Sequence, residues 1–290
     1  MDTGLTPVQR DRAEGVLLTQ ACGDALGVPY EFAAPPPPGE APVMRGGGLG
    51  PYAPGEYSDD TQMAVCIAEV AATGADLTSE DALDEVAERF LTWRAEGASD
   101  IGILTRSVLG AAVRHEGRPA DRLRRAARAE HDRTGRTAGN GALMRTGVVG
   151  LAYLGDPAAA EPAARAVAGL THADPLAGDA CVLWSVGVAT AVVEGTFAGV
   201  RAALDLLPTE RRDQWARWLD DAEGANPGHF APNGFTVTAL QAAYAAITAT
   251  PGPPNGADTG SAASTHLQRA LEAAVRAGDD TDTVAAIAGA

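Results

Sequence analysis

Apolar residues recur at helical spacing from one end of this chain to the other, and almost nowhere do they alternate as a half-buried strand requires. The period of about 3.6 residues is clear at 13–27, 59–72, 80–94, 103–114, 175–194, 237–248 and 266–277. Local chemistry agrees with these boundaries. Thr78-Ser79 precedes an acidic first turn, Ser58-Asp59-Asp60 precedes an apolar run, and glycine follows several of the stretches. Alanine, which loses no side-chain entropy in a helix, is abundant, while only 5% of residues are aromatic. No repeat of solenoid length stands out, and 290 residues with 46% hydrophobic content are enough to bury a sizeable core. The expectation is an all-α chain folded as one domain over residues 1–290.

Loops are expected at 33–55, 133–141 and 224–234, with a polar, proline-bearing excursion at 250–261. The four consecutive prolines from Pro35 to Pro38 read as a stiff surface spacer.

Charge narrows the function. Acidic residues number 38 against 22 basic ones, a net charge of −16, so the surface as a whole repels nucleic acid and anionic membranes, and neither is an expected partner. Every basic residue is an arginine. Without lysine, Schiff-base catalysis and a Walker phosphate loop are both excluded, and a phosphate-bearing ligand needs backbone donors or cations instead. Cys22, Cys66 and Cys181 lie far apart in apolar runs and read as reduced, buried thiols rather than a disulfide framework. The first ten residues lack the basic and apolar regions of a signal peptide, and no run of about twenty apolar residues is read as crossing a bilayer, so a cytoplasmic protein is expected.

Ser58-Asp59-Asp60-Thr61 sets two adjacent carboxylates between hydroxyls at a helix start. By itself this is a plain N-cap, because serine and aspartate satisfy free backbone N–H groups at the positive end of the helix dipole. At the other end of the chain Gly278-Asp279-Asp280-Thr281-Asp282-Thr283 supplies three more acids and two hydroxyls, again opening an apolar run. Neighbouring helix positions diverge by about 100°, so Asp59 and Asp60 address different directions from one rigid backbone. Carboxylate and hydroxyl oxygens with no Cys/His cluster suit Mg²⁺, Mn²⁺ or Ca²⁺ and argue against zinc. Cations also offset the like-charge repulsion such a gathering creates.

With those clusters in view the chain resembles the ADP-ribosylglycohydrolase family. The resemblance is carried, in order, by Gly23-Asp24-Ala25-Leu26-Gly27 with Glu31-Phe32, Tyr57-Ser58-Asp59-Asp60-Thr61-Gln62-Met63, Asp100-Ile101-Gly102, Gly139-Asn140-Gly141-Ala142-Leu143-Met144-Arg145, Thr171-His172, Gly234-Phe235 and Asp280-Thr281-Asp282-Thr283. Each motif alone is weak, and the ordered series is specific. It implies a compact, orthogonal many-helix bundle with a central cleft for two divalent cations, Mg²⁺ or Mn²⁺. The implied ligands are Ser58, Asp59, Asp60, Asp280, Asp282 and Thr283, with serine at 58 where relatives usually carry threonine.

The implied reaction is hydrolysis of the glycosidic bond between ADP-ribose and an arginine or serine side chain of a modified protein, or of a related small ADP-ribose conjugate. Glu31 and Asp60 are the implied catalytic pair, since an oxocarbenium-like state needs a proton for the leaving group and an activated water. Asp100 and Gly102 are implied contacts to ribose and phosphate. Asn140, Gly141 and Ala142 offer backbone N–H groups to a diphosphate, His172 is a further contact, and Gly234 with Phe235 gives adenine an aromatic to stack on.

The residues taken singly also carry plainer readings: a loop acid at Glu31, a helix cap at Asp100, a turn at Gly139-Asn140-Gly141, a structural His172 and a core Phe235. Arg145 reads as a brace for its loop. Two departures from the family pattern are expected to matter. Asp279 replaces the usual glycine, and the chain ends at Ala290 inside the family's last recognisable helix, which suggests a truncated chain or part of a longer protein. The competing functions are O-acetyl-ADP-ribose hydrolysis and, from other classes, a non-catalytic ADP-ribose-binding or toxin-immunity protein or a structural protein on the same scaffold.

Overall fold

The structure is a computed structural model that describes residues 4–37, 39–251 and 259–290, leaving aside the side chains of 259–264. In chain order its helices are α1 (Pro7–Gly27), α2 (Asp59–Ala71), α3 (Glu80–Ala95), α4 (Ile103–Ala112), α5 (Pro119–Thr134), α6 (Leu143–Thr146), α7 (Val149–Ala152), α8 (Pro157–Ala168), α9 (Pro175–Glu194), α10 (Gly199–Ala202), α11 (Thr209–Ala222), α12 (Thr236–Ala249), α13 (Thr259–Val275) and α14 (Thr281–Gly289). Among the described residues the only extended pairings are the isolated bridges Gly47–Tyr52 and Gly139–Phe235. The all-α expectation holds.

All seven stretches of clear apolar period are helical, though α1 starts earlier than expected. Thr6 accepts the N–H of Gln9 while the Gln9 side chain reaches back to the Thr6 N–H, a reciprocal cap that extends the helix to Pro7. Three longer helices, α5, α8 and α11, were not marked by the periodicity. The buried stripes of α5 and α8 are rich in alanine (Ala120, Leu123, Ala126 and Ala127 in α5), and that of α11 is only Trp215, Leu219 and Ala222. Such stripes fit close helix packing yet hardly register as hydrophobic beside many arginines. In α8 the interior Pro162 further disguises the helix, because proline normally removes a bond to the preceding turn.

The expectation that no segment is apolar and long enough to cross a bilayer needs correction. Helix α9 has 20 residues with a mean hydropathy of 1.8, which suffices by length and composition. Yet 72% of its apolar window is buried by other helices, and its Asp179, fully enclosed, accepts from Arg165 Nη1 (2.8 Å), Arg211 Nε (2.5 Å) and Trp215 Nε1 (3.1 Å). An enclosed carboxylate held by two arginines and an indole is well compensated, and α9 is the central core helix of this fold. The thiol expectation is also adjusted: all three cysteines are free, but only Cys181 is fully buried, with Cys22 and Cys66 half-buried.

The contact that matters most for the site is α1 on α14. A Cβ on Gly23 would lie 2.1 Å from the carbonyl oxygen of Ala285, and one on Gly27 would lie 2.3 Å from the Cα of Asp282. Only glycine lets the two backbones meet this closely. Thr281 Oγ1 then donates to the Gly27 carbonyl at 2.9 Å, and Trp184 Nε1 donates to the Ile287 carbonyl at 3.0 Å, fixing α14 against α1 and α9.

The loop at 33–55 is tied down rather than free. The Val43 N–H donates to Tyr30 Oη at 3.0 Å, and the Arg45 guanidinium sits 4.8 Å above the Tyr30 ring. Pro36 is buried and its carbonyl accepts from Arg276 Nη1 at 3.1 Å, so the proline stretch is a strap across the end of α13 rather than a loose spacer. Its last member, Pro38, and most of the 250–261 excursion lie outside the described residues.

Candidate active site

Asp24, near the end of α1, organises the first acidic cluster. Its carboxylate accepts the Ser58 N–H and O–H, both at 2.8 Å, and the Thr61 N–H and O–H at 3.0 and 2.6 Å. Those four bonds occupy the lone-pair capacity of a carboxylate and orient the start of α2. They also overturn the plain-cap reading of Ser58, whose side chain makes no cap hydrogen bond. Instead Ser58 Oγ points inward, 3.1 Å from Asp60 Oδ2 and 3.4 Å from Asp282 Oδ2. A hydroxyl has one proton, and Asp24 lies nearest to receive it, so the Ser58 lone pairs face two further carboxylate oxygens.

The α1–α14 contact brings the two acidic motifs together. One oxygen each from Asp24, Asp60 and Asp282 lie within 4.8 Å of one another, as do one each from Glu31, Asp280 and Asp282. The Thr283 hydroxyl lies close enough to Asp60 and Asp280 to lower the pKa of each, and the Thr283 N–H donates to Asp282 Oδ1 at 3.0 Å. Asp59 lies at the edge of this hub, 7% exposed, and accepts the backbone N–H of Gly102. Asp100 is not a helix cap, since the cap of α4 is Gly102. Its carboxyl meets that of Glu31 instead.

Burial pushes the Asp59, Asp60 and Asp282 carboxyls well above the usual carboxylate range, and the charge of their acidic neighbours pushes them further. Burial also raises Asp24, Asp100 and Asp280. The Glu31 carboxyl is raised to about 9, first by burial and then by Asp100, Asp280 and Asp59, so it keeps its proton at neutral pH and donates it to Asp100. Asp60 Oδ1 is buried with no hydrogen-bond partner. An orphaned carboxylate oxygen in an oxygen-only cluster of mutually repelling acids is what a hard divalent cation satisfies. The residues fit such an ion.

A second set of loops closes on the hub through two asparagines. Asn140 Nδ2 donates to Asp280 Oδ2 at 2.8 Å and to the Asn233 carbonyl at 3.1 Å. The fully buried Asn233 accepts the Asp280 N–H at 3.0 Å and donates to the Gly278 carbonyl at 2.9 Å. Backbone bonds from Asn140 to Gly234 and from Thr236 to Ala138 join the loops, leaving Phe235 40% exposed beside Gly139. Sequence reading missed both Asp24 and Asn233. Asp24 stood in a recognised motif without a role, and Asn233 follows a proline in an ordinary turn pattern, with no local signal of its contact 47 residues on.

His172 is 3% exposed and lies behind the 139–141 loop. Thr171 Oγ1 accepts from Arg145 Nη2 at 2.6 Å and is hydrogen-bonded to His172 Nδ1 at 2.7 Å, which fixes the orientation of the ring. Burial, helped by Arg145, pushes His172 down to about 3, so the ring is neutral at physiological pH, with Nε2 the atom nearest where a Cβ on Gly139 would stand. Arg145, fully buried, also donates to the Gly141 carbonyl at 2.8 Å and stacks 4.8 Å from the Phe90 ring, which makes it the brace expected.

Asp279 adopts φ +56°, in the left-handed region that glycine adopts at least cost. The Asp279→Gly substitution is expected to stabilise the protein by about 1 kcal/mol, read as a rise in the midpoint of urea unfolding at unchanged slope.

Comparison with known proteins bears on this geometry. A profile of the ADP-ribosylglycohydrolase family matches residues 5–290, and the chain belongs to that family. Over 185 residues it is 36% identical to the ADP-ribosyl-[dinitrogen reductase] glycohydrolase of Rhodospirillum rubrum, covering 61% of this chain and 56% of that protein. Over 114 residues it is 35% identical to the ADP-ribosylarginine hydrolase Tri1 of Serratia proteamaculans (strain 568), covering 36% of this chain and 29% of that one. The matched part thus spans little more than half of the first relative and less of the second. A solved structure described as an ADP-ribosylglycohydrolase-related protein complex superposes with a TM-score of 0.69 at 27% identity, covering 98% of this chain and 87% of that one.

Proposed function

We propose that this chain hydrolyses the glycosidic bond joining ADP-ribose to a side chain of a modified protein, with arginine as the leading linkage because the relatives include an ADP-ribosylarginine hydrolase. The observation that carries the reading is the oxygen-only hub with its unpartnered Asp60 Oδ1, set beside the proton-bearing Glu31. Two divalent cations, Mg²⁺ or Mn²⁺, held among Ser58, Asp59, Asp60, Asp280, Asp282 and Thr283, would supply the Lewis acidity that neutralises the acids and polarises ribose oxygens.

The chain's own groups divide the remaining work. Hydrolysis puts a hydroxyl on the anomeric carbon and a proton on the leaving nitrogen, and Glu31 is the group placed to move that proton. Asp60 orients the attacking water, and Asp24 acts one step back by holding Ser58 and Thr61. Asp100 and Gly102 contact the ribose side. Asn140, whose own N–H is held by the Gly234 carbonyl, shapes the loop. The backbone N–H groups at Gly141 and Ala142, with His172 beside them, take the diphosphate without any lysine, and Gly234 with Phe235 offers a face to the adenine.

The test is release of free ADP-ribose from arginine-linked, serine-linked and O-acetyl conjugates, with Mg²⁺ or Mn²⁺ against a chelator. Metal-dependent release from the arginine conjugate is expected, with Glu31→Gln lowering kcat by about 10²–10⁴-fold and leaving KM nearly unchanged. Binding of ADP-ribose without release from any conjugate would replace the hydrolase reading with a binding one.

A further inference from the structure

Two side-chain amides tie the turn at 278–280 to both loops assigned to the nucleotide. Asn140 Nδ2 carries two hydrogens and places one on Asp280 Oδ2 at 2.8 Å and the other on the Asn233 carbonyl at 3.1 Å. Asn233 brackets the turn with its own amide: Oδ1 accepts the Asp280 N–H at 3.0 Å, and Nδ2 donates to the Gly278 carbonyl at 2.9 Å. Asn233 is fully buried and Asn140 nearly so, which leaves water little chance to compete for these bonds. The loop backbones are bonded as well, Asn140 N–H to the Gly234 carbonyl at 3.1 Å and Thr236 N–H to the Ala138 carbonyl at 2.9 Å. Asp280 is therefore gripped at its N–H by one loop and at its carboxylate by the other. An oxygen of the same carboxylate lies within 4.8 Å of one each from Glu31 and Asp282. Movement of that carboxylate toward or away from its acidic neighbours is felt at Asn140 and, through the paired backbones, at Gly141, Gly234 and Phe235.

We propose that Asn140 and Asn233 are positioning residues that transmit occupancy of the cation hub to the nucleotide loops, so that a divalent cation tightens binding of an adenine nucleotide it does not touch. This rests on the cation and nucleotide sites of the reading above, and not on the hydrolytic step. Like charges at the hub push the carboxylates apart, and a cation gathers them and fixes Asp280. With Asp280 fixed, Asn140 holds the 139–142 loop in place before the nucleotide arrives, and the ordering cost of binding falls. Linkage makes the effect reciprocal: the nucleotide tightens cation binding by the same factor.

The experiment titrates AMP calorimetrically into the full chain, with Mg²⁺ and with chelator. AMP has the adenine, one ribose and one phosphate, and lacks the distal ribose assigned to the cations. Mg²⁺ is expected to tighten AMP binding by about 10-fold in the wild type. Asn140→Ala and Asn140→Ser remove the bonds to Asp280 and the Asn233 carbonyl at a site where water can take their place, and thermal melts check that both variants fold. In each the factor should fall below about two-fold. A second measurement needs no variant. Amide hydrogen exchange of the wild type without nucleotide should slow at 138–142 and 234–236 on adding Mg²⁺, by more than it slows in α11, which is separate from the hub. A wild-type factor below about two-fold, the same factor in wild type and variants, as through-space attraction would give, or loop exchange that slows no more than α11 overturns the proposal and leaves the hydrolase reading standing. A wild type that binds neither Mg²⁺ nor AMP brings down the sites of that reading, and the coupling with them.

Discussion

The Gly27→Ala variant is expected to lose about 3 kcal/mol or more of stability and, with it, the integrity of the acidic hub. The added methyl would lie 2.3 Å from Asp282 Cα, 2.4 Å from Asp282 N and 2.6 Å from the Thr281 carbonyl carbon. All of these are backbone atoms, so no rotamer change relieves the clash and α1 must part from α14. That contact brings Asp24 and Asp60 to Asp282. A shift of even about 1 Å there spoils a constellation that must be held to roughly 0.5 Å. Hydrolysis should fall more steeply than stability, and Mg²⁺ should protect the variant less against heat than it protects the wild type. Gly15→Ala is the control on the same helix: its Cβ meets nothing within 4 Å, and it should stabilise by about 0.5–1 kcal/mol. Equal behaviour of the two variants would show that the close approach does not govern the site.

The second large effect is expected at Asp60. Asp60→Asn keeps shape and hydrogen-bonding capacity beside Ser58 and Thr283 but removes one buried charge. Hydrolysis should fall on the order of 10³-fold, the scale of losing a charge-stabilising group in an enclosed site, while the metal-free protein becomes more heat-stable. Stability rises because each hub carboxyl has a folded-state pKa raised above its unfolded value. The folded state then binds more protons than the unfolded chain, so the stability of metal-free protein is greatest below the unfolded carboxylate range and declines as pH rises, for Glu31 until about 9.

On the proposed function, divalent cations would reverse that slope by stabilising the ionised carboxylates, and at about 100 times its dissociation constant a cation would add roughly 2.7 kcal/mol. Thermal melts between pH 5 and pH 9, with Mg²⁺ and with chelator, give both readings at once. A metal-free wild type whose stability rises with pH, or an Asp60→Asn variant that Mg²⁺ still stabilises fully, would contradict the assignment.

The helical class was legible because the 3.6-residue period is a property of short windows. So were four of the acids at the hub, since Ser58-Asp59-Asp60 and Asp280-Thr281-Asp282-Thr283 each open an apolar run, whereas Asp24 was not. Local pattern misread Ser58, whose hydroxyl satisfies Asp24 rather than a helix N–H, because the choice between those partners depends on a residue 34 positions away. It also passed over α5 and α8, whose packing relies on alanine, a residue that hydropathy barely distinguishes from surface, and α11, whose three buried residues stand among many charged ones.

What the sequence by itself determined is therefore an inventory: helices, an oxygen-only donor set, and backbone donors in place of lysine. What only the tertiary structure decided is proximity. Gly23 and Gly27 admit α14 against α1, and Asn233 draws the 278–280 turn onto Asn140. Buried acids become a site only when chain segments more than 200 residues apart are forced to share the same few ångströms, as Ser58 and Asp282 do. Short-range pattern carries no record of that, because the energy that enforces it comes from packing between helices and not from preferences within them.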